Sequence, residues 1–248
     1  MIRFMVNFLT SYVDRLQNTI PESLTVSRVY LGCSWIGVEL SNGDYGIAAK
    51  QEGDYSTVHL KGMLLRDIPT LLFASNPAAA AAACAAINAY CNTPSRTAPY
   101  QVSPNVRCVS PEEVKDRTVA VIGYMKGIIS YAEQSGASRV YAFDLRPLEN
   151  ALPPEREPEI LPSCDVVIIT GMTLMNRTYS DIVSWSGHAL KILLGPSVPL
   201  FPFLPGIHRL YGFSVIRPAA FESENSDHPG FPMQYCRPFC AEAQKEAQ

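Results

Sequence analysis

Five short apolar runs, TVAVIG, RVYAFD, DVVIITG, ALKILLG and FSVIR, recur between Thr118 and Arg217, with helical or loop-like stretches between them. Runs of Val, Ile and Leu this continuous belong to strands buried on both faces, and helices between such strands imply parallel pairing through right-handed crossovers. The second half of the chain is therefore expected to be a doubly wound, Rossmann-like α/β domain. In such a sheet ligands bind outside the carboxyl ends of the strands, near the point where strand order reverses. The residues that follow each run are the candidates for function.

After the first run come Gly123, Tyr124, Met125, Lys126 and Gly127. A dinucleotide fingerprint needs a small residue two positions after its first glycine and another three positions later, so that backbone can approach a pyrophosphate and the helix can pack. Met125 and Ile128 occupy those positions, which argues against an NAD or FAD pyrophosphate site. Asp144 ends the second run at the spacing where an acid accepts hydrogen bonds from ribose hydroxyls, a geometry that also serves adenosyl cofactors; the alternative is a solvated acid paired with Arg146. Lys126 either draws an anion to the helix N-terminus or is simply solvated.

The turn after the third run, TGMTLMNRTYSD, places Thr170, Gly171, Thr173, Asn176 and Thr178 around a helix start, where such groups cap the helix or hold a polar ligand. After the fourth run, Gly195-Pro196 fixes Ser197 in a rigid loop. Ser197 is a candidate donor to a ligand, or a nucleophile if a base stands beside it, although the sequence carries no Ser-His-Asp pattern.

The first half reads differently. Phe4, Phe8, Tyr12 and Leu16 recur at helical spacing, giving an amphipathic helix. Beta-rich segments around an Asn42-Gly43-Asp44 turn then predict a small antiparallel meander from Val26 to Ala49. Asn76 as N-cap and Pro77 at the first helical position introduce a helix with nine alanines from Ala78 to Ala89. With so little side-chain bulk it admits either a tightly packed core or the close approach of a backbone or flat ligand. The stretch CNTPSRTAPYQVSPNVRCVSP, with four prolines and no apolar period, reads as a linker, so the division is placed at 1–105 and 106–248. Residues 156–162 and the tail from Ala219 are poorly patterned, and AEAQKEAQ reads as a short helix.

With 47% hydrophobic residues among 248 and a net charge of -3, the chain has material for a core and no basic stripe for a phosphate backbone. Nucleic acid is not an expected partner. Neither the N-terminal helix nor the Ala-rich run is long and apolar enough for a membrane span. Seven cysteines in a chain of this size favour reduced thiols in a cytoplasm. His228, Cys236 and Cys240 form a loose cluster without a standard zinc spacing, so no metal site is assigned, and no cofactor can be named. The apolar faces of the first helix and the Ala-rich helix offer surfaces for a homodimer.

The segments VIGYMKGIISY, DVVIITGMTLMNRTYSDI and ILLGPSVPLFP, preceded by GCSWIGVEL and AAINAY, resemble the DUF364 family of heavy-metal chelation proteins with its DUF4213 N-terminal domain, over about residues 10–217. The resemblance implies an enolase N-terminal-like α+β domain followed by a Rossmann-like domain, with a cleft between them. It also implies a role in heavy-metal chelation, or in making or breaking down a pterin-, flavin- or siderophore-like molecule. Gly123, Thr173, Asn176, Thr178, Gly195, Pro196 and Ser197 match the family motifs in the second domain, and Trp35 and Asn88 match in the first. Arg177 stands where the family motif usually has glycine, and Asp144 where a glutamate is frequent.

Three functions follow as expectations. In the first, an enzyme of condensation or hydrolysis holds a metal-chelating small molecule in the interdomain cleft: Asn176, Thr173 and Ser197 orient it, Asp144 binds a hydroxyl or acts as base, Lys126 stabilises negative charge and Trp35 stacks on a ring. In the second, a binding protein sequesters a metal or its chelate through Cys236, Cys240 and His228. The third is an S-adenosylmethionine-dependent transferase resting on Asp144.

Overall fold

The computed structural model describes residues 2–201 and 203–243, with the side chains of residues 2–8 and of Asp227 outside the description. Helix α1 (Ile2–Thr19) precedes a meander of β1 (Val26–Leu31), β2 (Trp35–Leu40) and β3 (Tyr45–Ala49), paired antiparallel in that order. Tyr12 and Leu16 of α1 are buried as their spacing predicts, while the side chains of Phe4 and Phe8 lie outside the described residues. Gly43 turns the β2–β3 hairpin at φ +86°, a conformation in which glycine carries no Cβ penalty.

Asn76 caps α2 (Pro77–Cys91) by accepting a hydrogen bond from the Ala78 N–H at 3.0 Å. The alanines of this helix serve packing. A Cβ on Gly46 of β3 would lie 1.9 Å from the Ala89 nitrogen and 2.5 Å from the Ala85 carbonyl oxygen, so strand and helix backbones touch directly. Nearly every residue of α2 is buried.

The segment after α2 is not a free linker. It contains α3 (Pro94–Thr97), and the buried Asn92 donates to the carbonyls of Val198 and Phe213 while accepting from the Leu200 N–H. Val102 N–H then donates to the Pro238 carbonyl. Four prolines remove helical period from the sequence, yet these side-chain and backbone bonds tie the segment to the second sheet.

After α4 (Pro111–Val114) the second sheet begins. Its strands are β4 (Thr118–Ile122), β5 (Arg139–Phe143), β6 (Val166–Thr170), β7 (Leu190–Leu194), β8 (Arg209–Val215) and β9 (Cys236–Glu242), in spatial order β5-β4-β6-β7-β8-β9. The first five are parallel and β9 is antiparallel on β8. Strand order thus reverses between β4 and β6, the flavodoxin-like arrangement. Side chains alternate as the pleat requires: Val119, Val121, Ile168 and Ile192 join one core, and Ala120, Ile122, Val167 and Leu193 join another. That second core continues through α1, α2 and the small sheet, so the two halves share apolar packing.

The crossovers are α5 (Lys126–Gln134), α6 (Glu157–Ile160), α7 (Thr173–Asn176) and α8 (Tyr179–Trp185). Beyond β8 the poorly patterned tail is ordered: α9 (Pro218–Asp227) docks on the small sheet, where Asn225 donates to the Trp35 carbonyl and accepts from the Ser34 N–H. Of the stretch expected to be helical from Ala241, Ala241 and Glu242 finish β9 and residues 244–248 lie outside the description. No helix among the described residues is long and apolar enough to cross a membrane. All seven cysteines are free thiols.

Candidate functional site

A cleft of about 640 Å³ opens at the carboxyl ends of β4 and β6, the point where strand order reverses. Ile122, Gly123, Phe143 and Thr170 form its floor. Met172, Thr173, Asn176 and Thr178 form the wall from the third-strand turn, and Asp144, Leu145, Arg146, Pro154 and Glu157 the wall from the β5–β6 connection. The first half of the chain contributes Lys50, Gln51 and Glu52, just beyond the end of β3, with Pro77 at the start of α2.

Gly123 leaves its strand at φ +84°, and a Cβ there would sit 2.9 Å from the Thr170 methyl, so glycine lets the two strand ends close together. Part of the polar wall is occupied with itself. Thr173 Oγ1 donates to the Thr170 carbonyl at 2.8 Å, and Thr178 Oγ1 donates to Asn176 Oδ1 at 2.8 Å. This leaves the Asn176 amide nitrogen, which donates to no group among the described residues. Gln51 lines the cleft too, but its Nε2 is closed off from solvent and lacks a partner among the described residues.

Asp144 is a cleft residue, but its carboxylate is fully engaged. Oδ1 accepts from the backbone N–H and Nε of Arg146, both at 2.9 Å, and Oδ2 from the Tyr124 N–H at 2.9 Å and Arg146 Nη2 at 3.1 Å. The Arg146 guanidinium and these backbone donors hold its pKa down at about 2. A carboxylate this acidic is a poor general base near neutrality, and no lone pair is left for ribose hydroxyls.

Glu157 is the opposite case, and the sequence reading passed over it. The residue is 5% exposed, lines the cleft, and has no hydrogen-bond or ion-pair partner among the described residues. Burial, followed by the nearby charges of Asp181 and Glu155, pushes its pKa up to about 7. The signal was available in outline: a connection leaving β5 must return over the strand ends before β6. Leu152 pairs beside Phe143 and starts that return. The local composition, rich in Pro and Glu, hid the acid among solvated neighbours.

Seven other predicted residues fall outside the cleft lining. Ser197 is buried, and its Oγ accepts from the Ala49 N–H at 3.0 Å; it is sealed from solvent and faces a strand end rather than a base. Its carbonyl accepts from the Cys84 thiol at 3.3 Å, and Asn88 Nδ2 donates to the carbonyls of Ile47 and Pro196. Gly195, Pro196, Ser197 and Asn88 therefore form a seam that clamps the β7 loop between α2 and β3. A Cβ on Gly171 would meet the Ser197 carbonyl carbon at 2.9 Å, so Gly171 serves the same seam. Trp35 donates from Nε1 to the Gly230 carbonyl and packs against the tilted ring of Phe231, outside the cleft lining. Lys126 is exposed at the start of α5, apart from the cleft.

Arg177 adopts φ +67° at the end of α7. That left-handed conformation favours glycine, which gives a physical reason for the glycine usual at this position in the family motif. Cys236, Cys240 and His228 do not gather: Cys236 is buried on β9, His228 is exposed, and no group of three His, Cys, Asp or Glu side chains among the described residues could hold a metal ion.

Comparison with known proteins matches residues 109–226 to the DUF364 family model and residues 13–91 to the DUF4213 model, both described as "Putative heavy-metal chelation". A curated protein of Methanocaldococcus jannaschii, "Uncharacterized protein MJ0500", is 30% identical over 92 residues, and the alignment spans 36% of each chain. Two crystal structures of DUF364 proteins of unknown function share the fold. That from Desulfitobacterium hafniense has a TM-score of 0.81 at 24% identity, covering 94% of this chain and 98% of its own. That from Pyrococcus horikoshii has a TM-score of 0.76 at 20% identity, covering 96% and 99%.

Proposed function

The chain belongs to the DUF364 family with a DUF4213 N-terminal region, and from that premise we propose that its cleft binds a small, metal-chelating organic molecule of the pterin, flavin or siderophore kind. The observation that carries this reading is the cleft itself: about 640 Å³, at the strand-order reversal, with apolar side chains beside polar groups that have no protein partner among the described residues. Pockets of this size, lined by apolar side chains with a few convergent polar groups, suit small-molecule ligands. Ile122, Phe143, Met172 and Pro77 supply the apolar surface, and the Asn176 amide nitrogen and the Glu157 carboxyl supply polar groups with no protein partner among the described residues.

A heavy metal coordinated directly by the protein does not fit the donor set, because the described residues gather no shell of three ligating side chains. The metal would enter as part of a chelate. Condensation or hydrolysis would proceed here by proton transfer, since Ser197 is sealed in the seam and Asp144 is saturated. A non-catalytic chelate binder is the second reading, favoured by the burial of Ser197 and the saturation of Asp144. The adenosyl-transferase reading loses its anchor, because Arg146 and Tyr124 occupy the Asp144 oxygens.

The test is calorimetry and turnover against a panel of pterins, flavins, catechols and hydroxamates, with and without bound metal. Binding that Asn176→Ala weakens about tenfold supports the cleft; binding untouched by that substitution, or none across the panel, refutes it. Product formation separates the enzyme from the binder.

A further inference from the structure

Glu157 is buried in the cleft wall with no pairing group among the described residues. Arg146 is committed to Asp144, and the Lys50 ammonium donates to the Gly32 carbonyl at 2.9 Å and lies over the Tyr55 ring. Arg156, one residue away, pairs with Glu159. Around Glu157, the charges facing it are Asp181 from α8 and Glu155 from the preceding turn, and the remaining cleft acids are Glu52 and Asp144. Each is acidic, so no neighbour compensates a carboxylate at this position.

A buried carboxylate without donors is costly, and a ligand that brings donors removes the cost. Two parallel N–H groups meet a carboxylate best, because each oxygen then accepts one bond. Ile122, Phe143 and Met172 offer apolar contact to the body of such a ligand, and Asn176 beside them is a polar partner for another of its edges. We propose that Glu157 is the recognition carboxylate of the cleft, and that it takes the amidine edge of a flat nitrogen heterocycle carrying an exocyclic amino group beside a ring N–H. Of the ligand kinds named above, a 2-amino-4-oxopteridine presents this edge together with a carbonyl acceptor, whereas catechols and hydroxamates do not. The inference rests on the cleft being the ligand site and narrows what that site accepts.

The experiment uses the full chain with 2-amino-4-oxopteridine, benzamidine, benzamide, a catechol and riboflavin as probes. Amide NMR shifts at Thr170 and Asn176 report occupancy of the cleft. Benzamidine, an amidinium throughout the range used, is expected to bind more tightly as pH rises from 5 to about 7, by roughly tenfold per pH unit, and to level off above, because binding removes a proton from Glu157. The pteridine is expected to displace it, and Glu157→Gln to weaken both at least tenfold at pH 8. Carboxyl-carbon NMR of the unsubstituted protein gives the second readout, which does not depend on the variant folding. Glu157 is expected to titrate near 7 when free and well below when benzamidine is bound.

Cleft binding that ignores pH and Glu157→Gln, cleft binding by catechol or flavin but not by the amidine probes, or an ordinary Glu157 titration would overturn this inference and leave the cleft reading intact. Absence of any probe from the cleft would overturn both.

Discussion

Glu157→Gln tests the electrostatic argument without any ligand. Burial raises the Glu157 pKa from 4.5 to about 7, so between those values the folded chain keeps a proton that the unfolded chain has lost. Stability must therefore fall as pH rises through that window, because the folded state binds more protons. A displacement of this size corresponds to about 3 kcal/mol at about 1.4 kcal/mol per pH unit. Glutamine resembles the protonated acid in shape and cannot ionise. The variant is expected to match the parent at pH 4.5 and to exceed it by about 3 kcal/mol at pH 8, with most of the divergence between pH 5 and 7. Urea unfolding of both proteins at half-unit pH steps measures it. Asp181, whose pKa burial also raises, and Lys191, whose pKa burial lowers, titrate in both proteins and cancel in the difference apart from the coupling of Asp181 to Glu157. A difference that stays within about 0.5 kcal/mol from pH 5 to 8 would refute the claim that this carboxyl is buried without a partner.

Ser197→Ala is expected to cost about 1–2 kcal/mol by stranding the Ala49 N–H in the seam, with cleft binding unchanged; loss of binding at intact stability would reinstate Ser197 as a ligand residue. Asp144→Asn removes a carboxylate held at about 2 by Arg146 and the Tyr124 N–H. It should destabilise by about 2 kcal/mol at pH 7, and the deficit should shrink as pH falls from 4 toward 2, as denaturation at pH 7 and pH 3 can show. Arg177→Gly should stabilise by about 0.5–1 kcal/mol, because relief of the left-handed conformation exceeds the entropy glycine adds to the unfolded chain; a lower melting temperature would contradict this.

The sequence by itself determined the strands β1 to β8 and the helix α2. Val- and Ile-rich runs of about five residues bounded by turn signals specify strands buried on both faces, and Asn76-Pro77 and Asn42-Gly43-Asp44 specify a helix start and a hairpin through local backbone chemistry. It also determined that a site should lie beyond the strand ends, and Gly123, Asp144, Thr170, Thr173, Asn176 and Thr178 do line the cleft. Tertiary structure decided what those residues are free to do. Whether a hydroxyl or carboxylate is available depends on partners distant in sequence: Ala49 reaches Ser197 across 148 positions, and Gly230 takes the indole N–H of Trp35 across 195. The Pro-rich segment and the β9 tail lacked periodicity because contacts with the second sheet hold them, rather than a repeating apolar face. Glu157 reads as one more solvated acid in a charged stretch; only the return of the chain beside β5 and the packing of α6 on α8 bury it at the cleft. Spacing along the chain fixes which side chains leave the same end of a sheet, whereas burial and pairing are properties of the closed assembly.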